Sequence, residues 1–423
     1  MTRLVVVYDA GSARTGEIAS SLSGLGRVTF AVPAAAAAPG LLTTMRGLAD
    51  VVTLEGGVVD QVRALAALGP DAILTFSERM LRHTAVLAEG LGLPFHSPAA
   101  AELLTDKLLQ RQALREAGVD GVRSRGLSDP AELPAALDEI GLPAIVKPRV
   151  GEGSRNTFLV SDRGRGAELV AGLLGEGERE LVVEELLLGR DCAPFGDYVS
   201  VESLVADGEV THVAVSGKLP QVPPFRETGQ FWQAALPASE RRAVEDLAGA
   251  ALRALDARVG VTHTEVKLTP AGPRIIEVNG RLGGMMNELS RPAGLDLVET
   301  AGRLALGQGA PSLALRDDEV FYLQLNLAPP VPCTLAAIEG VRTVRSLPGV
   351  CSYRTLIRPG SAIAGGVHTN LLDLLVGQAP DHAAMLATIE AAMDALTFTF
   401  TLPSGPLRVG ARSLRRSWED VAR

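Results

Sequence analysis

Charged and amide side chains alternate with aliphatic ones in the segment 275–284, IIEVNGRLGG. Successive side chains of a β-strand point to opposite faces of a sheet, so this pattern predicts a strand with one polar and one apolar face. Ile276 and Val278 form the face expected to be apolar. Four residues share the face expected to be polar: Ile275, Glu277, Asn279 and Arg281. A carboxylate, an amide and a guanidinium on one face are suited to binding a metal ion and an anion.

The segment 262–268, THTEVKL, shows the same alternation and is joined to the first segment by the turn-rich sequence TPAGP. Antiparallel pairing of the two strands would bring Glu265 close to Glu277 and Asn279. Two close carboxylates repel each other unless a proton or a cation lies between them, and a ligand set made only of oxygen atoms favours Mg²⁺. A solvated hairpin face, with Arg281 paired to a glutamate, is the alternative that these residues leave open.

A third segment places a lysine at the end of a predicted strand and directly before a glycine-containing loop. Lys147 ends the run AIVK and is followed by PRVGEGS, whose last residue is Ser154. The backbone N–H groups of such a loop can bind phosphates while the lysine supplies positive charge. The spacing differs from that of the P-loop motif, and a surface hairpin is the alternative.

The elements that must position these residues follow from periodicity. Short aliphatic runs alternate with helical patterns up to about residue 97, which predicts βαβ units and a parallel sheet. Ser97-Pro98 has the residue types of an N-cap and first helical position, so we expect one helix from there to Gly118. Domain boundaries are expected near residues 97 and 313.

Composition excludes several classes of protein. The chain has 423 residues, with 40 Lys+Arg against 49 Asp+Glu, and this acidic excess disfavours nonspecific nucleic-acid binding. The three cysteines fit neither a paired disulfide framework nor a Cys-x-x-Cys zinc site. No secretory signal or transmembrane segment is recognisable, so we expect a cytoplasmic protein that does not bind membranes.

Together these segments resemble the ATP-grasp superfamily, at KPRVGEGS, VVEELLLG, HTEVKL and IIEVNGRLGG. The segment 198–237 is most similar to L-amino-acid ligases of the bacilysin-synthesising type and to related carboxylate-amine ligases. The resemblance implies an α/β and α+β architecture: a Rossmann-like domain at 1–97, an ATP-grasp domain at 98–313 with a lid over roughly 120–185, and an α+β domain at 314–423.

The resemblance also implies roles for individual residues. Glu265, Glu277 and Asn279 match the Mg²⁺ ligands, and Arg281 matches the arginine that stabilises the transferring phosphoryl group. The implied nucleotide-binding residues are Lys107, Lys147 and Ser154 for the phosphates; Glu184, Glu185 and Leu187 for adenine; and Asp191 or Asp197 for the ribose, with Asp191 slightly favoured.

On the substrate side, Glu227 matches a carboxylate that faces the amino group of a bound amino acid. Gln230 stands where the bacilysin-type ligases carry histidine, and Met285 stands where they carry a large aromatic residue. Lys218 resembles a lysine near the reacting groups, although a surface lysine at a strand end is an equal alternative. His263 is expected more often to be structural than to act in the site.

The resemblance implies an ATP- and Mg²⁺-dependent ligase, with Mn²⁺ as an alternative metal, that joins a carboxylic acid to an amine through an acyl phosphate. Both substrates are expected to be small molecules, most simply amino acids in specialised metabolism, and homodimer formation is left open. One alternative is a ligase for a non-amino-acid or carrier-bound substrate. Another is a nucleotide-binding regulatory protein without turnover.

Overall fold

The computed structural model describes residues 1–313, 315–316, 318–365 and 370–415. Its first layer is a parallel sheet of four strands in the order β3-β2-β1-β4, with helices in the connections, as the alternation of aliphatic runs predicts. The elements of this layer are β1 (Arg3–Val7), α1 (Thr15–Leu22), β2 (Arg27–Pro33), α2 (Pro39–Arg46), β3 (Asp50–Leu54), α3 (Val58–Ala66), β4 (Ala72–Leu74) and α4 (Leu81–Leu91).

The helix expected from Ser97 to Gly118 is two helices, α5 (Pro98–Leu103) and α6 (Lys107–Glu116). The Ser97 side chain caps α5 by accepting a hydrogen bond from the backbone N–H of Ala100, as expected. The prediction of a single helix is wrong because Asp106 caps a second N-terminus, where its carboxylate accepts hydrogen bonds from the next backbone N–H groups. The break makes Lys107 the first residue of α6.

The segment from residue 124 to 185 forms an antiparallel sheet of four strands in the order β5-β8-β6-β7, covered by two helices. Its elements are β5 (Ser124–Leu127), α7 (Leu133–Ile140), β6 (Ala144–Pro148), β7 (Phe158–Val160), α8 (Arg163–Gly175) and β8 (Leu181–Glu185). Buried aliphatic side chains of the sheet and the two helices form a separate small core. The glycine-containing loop lies between β6 and β7.

The largest sheet is antiparallel and has eight strands in the order β13-β12-β9-β10-β11-β14-β18-β16. Its first part contains β9 (Tyr198–Ala206), β10 (Glu209–Lys218), β11 (Gly229–Trp232), α9 (Ala238–Ala254), β12 (Gly260–Thr269), β13 (Gly272–Asn279), α10 (Met286–Ser290) and α11 (Leu297–Ala305).

Three strands that follow residue 313 extend this same sheet, and a fourth sheet has the order β17-β15-β19-β20. The elements are β14 (Val320–Leu327), β15 (Cys333–Glu339), α12 (Val341–Arg345), β16 (Val350–Thr355), β17 (Ala362–Ile363), β18 (Leu371–Ala379), α13 (His382–Ala395), β19 (Thr397–Leu402) and β20 (Gly405–Gly410). The expected region 314–423 thus shares its β-structure with the region before it, and its last eight residues lie outside the described part.

The hairpin of β12 and β13 confirms the expected antiparallel pairing but contains a β-bulge. Glu265 pairs with Glu277 and Val266 pairs with Ile275, so Ile276 has no partner of its own. The extra residue reverses the alternation at that point. Ile275 is buried in the core, whereas Ile276 lines a cavity, so the assignment of these two isoleucines to faces was wrong.

A single apolar cluster joins the parallel sheet to the eight-stranded sheet. It combines Leu4 and Phe30 of the first layer with Trp232 and Leu323 of the second. Burial of these side chains fixes the loops of the first layer over one face of the large sheet. In the part of the chain that the structure describes, no helix has both the length and the apolar character needed to cross a membrane.

Candidate active site

A cavity of about 550 Å³ lies between the parallel-sheet layer, the segment 124–185 and the eight-stranded sheet. Its volume is within the usual range for small-molecule sites. All of the candidate residues except Asp191 and Asp197 line it: Lys107, Lys147, Ser154, Glu184, Glu185, Leu187, Lys218, Glu227, Glu265, Glu277, Asn279 and Arg281. Residues distant in sequence therefore meet in one place.

The candidate metal ligands lie side by side on β12 and β13. Glu265 is the cross-strand partner of Glu277, and Asn279 is the partner of His263. The Lys107 Nζ lies 2.8 Å from Glu277 Oε1 and also donates a hydrogen bond to the Gly151 carbonyl. Two carboxylates and an amide oxygen form the donor set that Mg²⁺ prefers, so these residues fit that ion chemically. Among the described residues, no group of three His, Cys, Asp or Glu is suited to a metal. The donor set here is not such a group, because its third member is the amide of Asn279.

A buried glutamate on the neighbouring strand β9 contacts His263 of β12. Glu202 on β9 is completely buried, and its Oε1 lies 2.7 Å from His263 Nδ1, while His263 Nε2 lies 3.5 Å from Glu265 Oε1. Burial opposes the charge of His263, but the glutamates outweigh it and raise the pKa of His263 to about 9. Burial likewise opposes the charge of Glu265, and the hydrogen bond with His263 helps to hold the pKa of Glu265 at about 2.

Lys147 and Glu184 belong to a second buried cluster that also includes Arg111. Glu184 Oε2 lies 2.8 Å from Lys147 Nζ, and its Oε1 lies 3.0 Å from Arg111 Nε. The Arg111 guanidinium also donates hydrogen bonds to the carbonyls of Ile275 and Ile276 at the bulge. Although burial favours the neutral acid, the two cations lower the pKa of Glu184 to about 2.

The glycine-containing loop covers one side of the cavity. Gly153 and Ser154 both have positive φ, which suits a tight turn with exposed N–H groups. Arg79, which lies between β4 and α4 of the first layer, is 3.1 Å from Glu152 of the loop and 3.4 Å from Asp9. The loop joins the antiparallel strands β6 and β7 and its tip is exposed, but it also lines the cavity and contacts the parallel-sheet layer, so it is not a hairpin that faces solvent alone.

The residues expected at adenine and ribose have different surroundings. Leu187 lines the cavity, and the Glu185 carboxylate pairs with Arg123 at 2.9 Å. Asp191 is exposed and accepts a hydrogen bond from the backbone N–H of Ala193. Asp197 Oδ1 lies 2.6 Å from the Nζ of Lys267, a residue of the cavity wall. Asp197 contacts a residue of the cavity wall, whereas Asp191 contacts none among the described residues, so the geometry favours Asp197 as the candidate for the ribose. The sequence slightly favoured Asp191.

Lys218 also lines the cavity and is almost fully buried. Its Nζ is 3.1 Å from Glu227 Oε1 and 2.8 Å from Gln230 Oε1, and the Tyr198 hydroxyl donates to the same Glu227 oxygen. Burial disfavours the ammonium, but Glu227 and other carboxylates outweigh it, so the pKa of Lys218 is raised. The alternative of a surface lysine is wrong.

Arg281 is paired with a glutamate from the first layer. Its Nε lies 3.0 Å from Glu78 Oε2, and its Nη2 donates to Asn279 Oδ1 at 3.3 Å. Burial raises the pKa of Glu78 to about 7 although Arg281 opposes the shift. Glu78 is buried against Arg281. Arg281 lines the cavity and its glutamate partner is buried, which excludes the solvated hairpin.

Comparison with known proteins agrees with this arrangement. Residues 106–313 match the family described as the carbamoyl-phosphate synthase L chain, ATP binding domain. The structure superimposes on an L-amino acid ligase from Bacillus licheniformis with a TM-score of 0.76, covering 94% of this chain and 98% of that chain at 21% identity. Residues 106–313 form an ATP-grasp domain. The expected resemblance and fold class are therefore confirmed.

Two further similarities concern ligases and nucleotides. Alanine–anticapsin ligase of Bacillus subtilis (strain 168) is 30% identical over 293 residues, which is 64% of this chain and 61% of the ligase. The chain thus spans about three fifths of the length of that relative. A biotin carboxylase domain from Hydrogenobacter thermophilus, solved with MgADP, has a TM-score of 0.67 and 17% identity, covering 98% of this chain and 92% of that chain.

Some residues of this site were not identified as candidates from the sequence. Arg111 has only the signal that it follows Lys107 by four residues on α6, which places both on one helix face. Glu202 is a charged residue inside an otherwise apolar strand pattern, YVSVESLVA, a signal that could have been used. Leu323, Leu325 and Leu371 also line the cavity, and as aliphatic residues they carry no sequence signal.

Proposed function

We propose that this ATP-grasp protein is a Mg²⁺- and ATP-dependent carboxylate-amine ligase that joins two amino acids through an acyl phosphate. One observation carries the proposal. The lining of a single cavity includes the oxygen donor set, the two lysines and Arg281, together with Glu227 and Lys218. Phosphoryl transfer and recognition of an amino acid can therefore take place in the same cavity. The similarity to alanine–anticapsin ligase supports the same conclusion.

The roles of the residues follow from their charge and position. Glu265, Glu277 and Asn279 would hold Mg²⁺, which supplies charge neutralisation at the ATP phosphates when bound. Lys107 and Lys147 would bind phosphate oxygens, and Arg281 would stabilise the negative charge of the transferring group. Asp197 is proposed as the residue at the ribose, because it contacts the cavity wall through Lys267.

The chemistry consists of two displacements. A substrate carboxylate oxygen bonds to the γ-phosphorus of ATP and releases ADP, which gives the acyl phosphate. The amine nitrogen then bonds to the acyl carbon, phosphate leaves, and the nitrogen loses one proton. Water would hydrolyse the acyl phosphate, so closure of the loop that contains Glu152 and Ser154 protects it.

The test replaces one metal ligand. Glu277→Gln removes one negative charge from the donor set, so ADP formation should fall by about 10³-fold or more. Glu299→Gln is the matched control, because Glu299 pairs with Arg303 on the surface of α11. ADP and phosphate release would be measured with pairs of amino acids, and mass spectrometry would seek a product one water lighter than the pair. Circular dichroism would verify that the variant is folded.

Retained turnover in Glu277→Gln would contradict the metal assignment. Binding of ATP by the unaltered protein without turnover on any pair would instead favour a regulatory nucleotide-binding protein.

A further inference from the structure

Leucine side chains from two strands that follow residue 313 contribute to the cavity lining near Glu227. Leu323 on β14 is the direct cross-strand partner of Gln230, and the Leu325 N–H donates to the Thr228 carbonyl at 2.8 Å. Leu371, which begins β18, lines the same cavity. Gln230 and Thr228, which contact Leu323 and Leu325, each lie within three residues of Glu227.

Met285 lines the same cavity. It follows Gly284, whose carbonyl accepts a hydrogen bond from Gln230 Nε2 at 2.9 Å. Gln230 is held at both ends of its amide, since its Oε1 accepts a hydrogen bond from Lys218. The amide is therefore committed to two protein partners, and the apolar part of the nearby lining includes Phe225 as well as aliphatic side chains. We call Met285, Leu323, Leu325 and Leu371 the aliphatic wall.

Charges near the aliphatic wall limit the side chains that can lie there. The charge of Glu227 is already balanced by Lys218, whose Nζ lies 3.1 Å from Glu227 Oε1. An acidic substrate side chain beside Glu227 would add a second carboxylate next to that one cation and would be repelled. A basic side chain would be desolvated against four aliphatic residues. An uncharged aliphatic side chain gains from burial there.

The hydrogen bonds of Glu227 indicate which of the two substrates binds beside the aliphatic wall. Only one of its oxygens, Oε1, takes hydrogen bonds from described residues, namely from Tyr198 and Lys218, so Oε2 can accept from an ammonium. An amine held as an ammonium on a carboxylate has no lone pair and cannot be the attacking nucleophile. The amino acid held at Glu227 is therefore the one whose carboxylate is phosphorylated.

We infer that the carboxylate donor of this enzyme is an amino acid with an uncharged aliphatic side chain, which packs against the aliphatic wall while its ammonium group binds Glu227. The inference rests on the proposed function for the identity of the reaction, but the side-chain preference is a property of binding. The donor residue occupies the N-terminal position of the product, because its carboxyl group forms the new amide.

The experiment measures binding first and turnover second. Isothermal titration calorimetry would be run with Mg²⁺ and β,γ-imido-ATP present, and with glycine, L-alanine, L-valine, L-leucine, L-aspartate and L-lysine as titrants. Each buried methylene should tighten binding about fourfold, so valine or leucine should bind about tenfold or more tighter than alanine. Aspartate and lysine should bind more weakly than alanine.

Two variants test the wall and a third controls for packing. Met285→Gln and Leu371→Gln each place an amide in the wall and should reduce the preference for leucine over alanine by about threefold or more. Leu356→Gln is the matched control, because Leu356 packs on the same core as Leu371 and Met285 but does not line the cavity. It should leave the preference unchanged.

Several results would overturn the inference: aspartate or lysine binding as tightly as leucine, alanine or glycine binding most tightly, no measurable binding of leucine or valine, or equal effects of the three variants. Tandem mass spectrometry that places the aliphatic residue at the C-terminal position would also overturn it. The expected binding series without any turnover would refute the proposed function and leave the side-chain preference standing.

Discussion

Replacing Glu184 with Gln should destabilise the protein strongly, because this carboxylate balances two buried cations. The side chains of Glu184, Arg111 and Lys147 are each less than a tenth exposed. The pKa of Glu184 is lowered from 4.5 to about 2: burial alone would raise it, but the two cations outweigh burial. That difference corresponds to about 3 kcal/mol of stabilisation of the charged form. Breaking a buried pair by removing one partner typically costs 3–5 kcal/mol, which agrees with this value.

The sign of the pH dependence follows from the lowered pKa. A carboxylate with a lower pKa in the folded state stabilises the fold at any pH above its unfolded pKa. This stabilisation is lost as the pH falls from about 4.5 towards 2. The difference between the unaltered protein and Glu184→Gln should therefore be full at pH 7 and should shrink over that acidic range.

Glu185→Gln is the matched control, since it makes the same change at the next residue of β8. Glu185 pairs with Arg123, whose side chain is about half exposed, so the loss should be under about 1 kcal/mol. Urea unfolding at pH 7, followed by circular dichroism, would give the free energy of unfolding of all three proteins. Equal losses for the two variants, or a loss for Glu184→Gln below about 1 kcal/mol, would refute the argument from buried charge.

Two further predictions concern a buried acid and a loop contact. Burial raises the pKa of Asp373 to about 6 against the hydrogen bonds from Tyr353 and Asn326, so its stabilising effect is present below about pH 4 and lost as the pH rises through about 6. Asp373→Asn should remove about 3 kcal/mol of pH dependence from urea unfolding between pH 4 and 7, and parallel curves for the two proteins would contradict this. Arg79→Gln and Glu152→Gln should each raise the KM for ATP by up to about fivefold, because the pair is partly exposed, and the double variant should be no worse than either single one. Additive effects would show that the pair does not hold the loop.

The strongest predictions from sequence were those in which a chemical pattern and a local geometry coincide. The placement of Glu265 opposite Glu277 needed only the period of a strand and a turn between two strands. The cap at Ser97 is likewise set by the residues next to it. The roles assigned to the site residues go further than this geometry and remain predictions, although all but Asp191 and Asp197 line one cavity.

Errors occurred where a local pattern was interrupted. The period of apolar residues continues from α5 into α6, but the Asp106 carboxylate can satisfy the N–H groups of a new helix and so divides the predicted one. The bulge at Ile276 depends on the partner strand. Glu265 pairs with Glu277 and Val266 pairs with Ile275, so Ile276 between them has no partner. Neither feature changes composition or hydrophobic content, so a periodicity argument cannot detect it.

The leucines of the aliphatic wall could not be recognised from sequence for a different reason. A charged residue within a strand is a signal because its burial requires a partner, and for that reason Glu202 could have been found from sequence. Leu323 and Leu371 give no such signal, since leucine in a strand is expected whether it faces the core or a ligand. They reach the cavity only because β14 and β18 extend the same sheet as β11, a pairing between residues far apart in sequence. Motifs thus predict the reaction of this site better than its selectivity, because the reaction depends on charges and selectivity depends on which aliphatic residues the topology brings beside them.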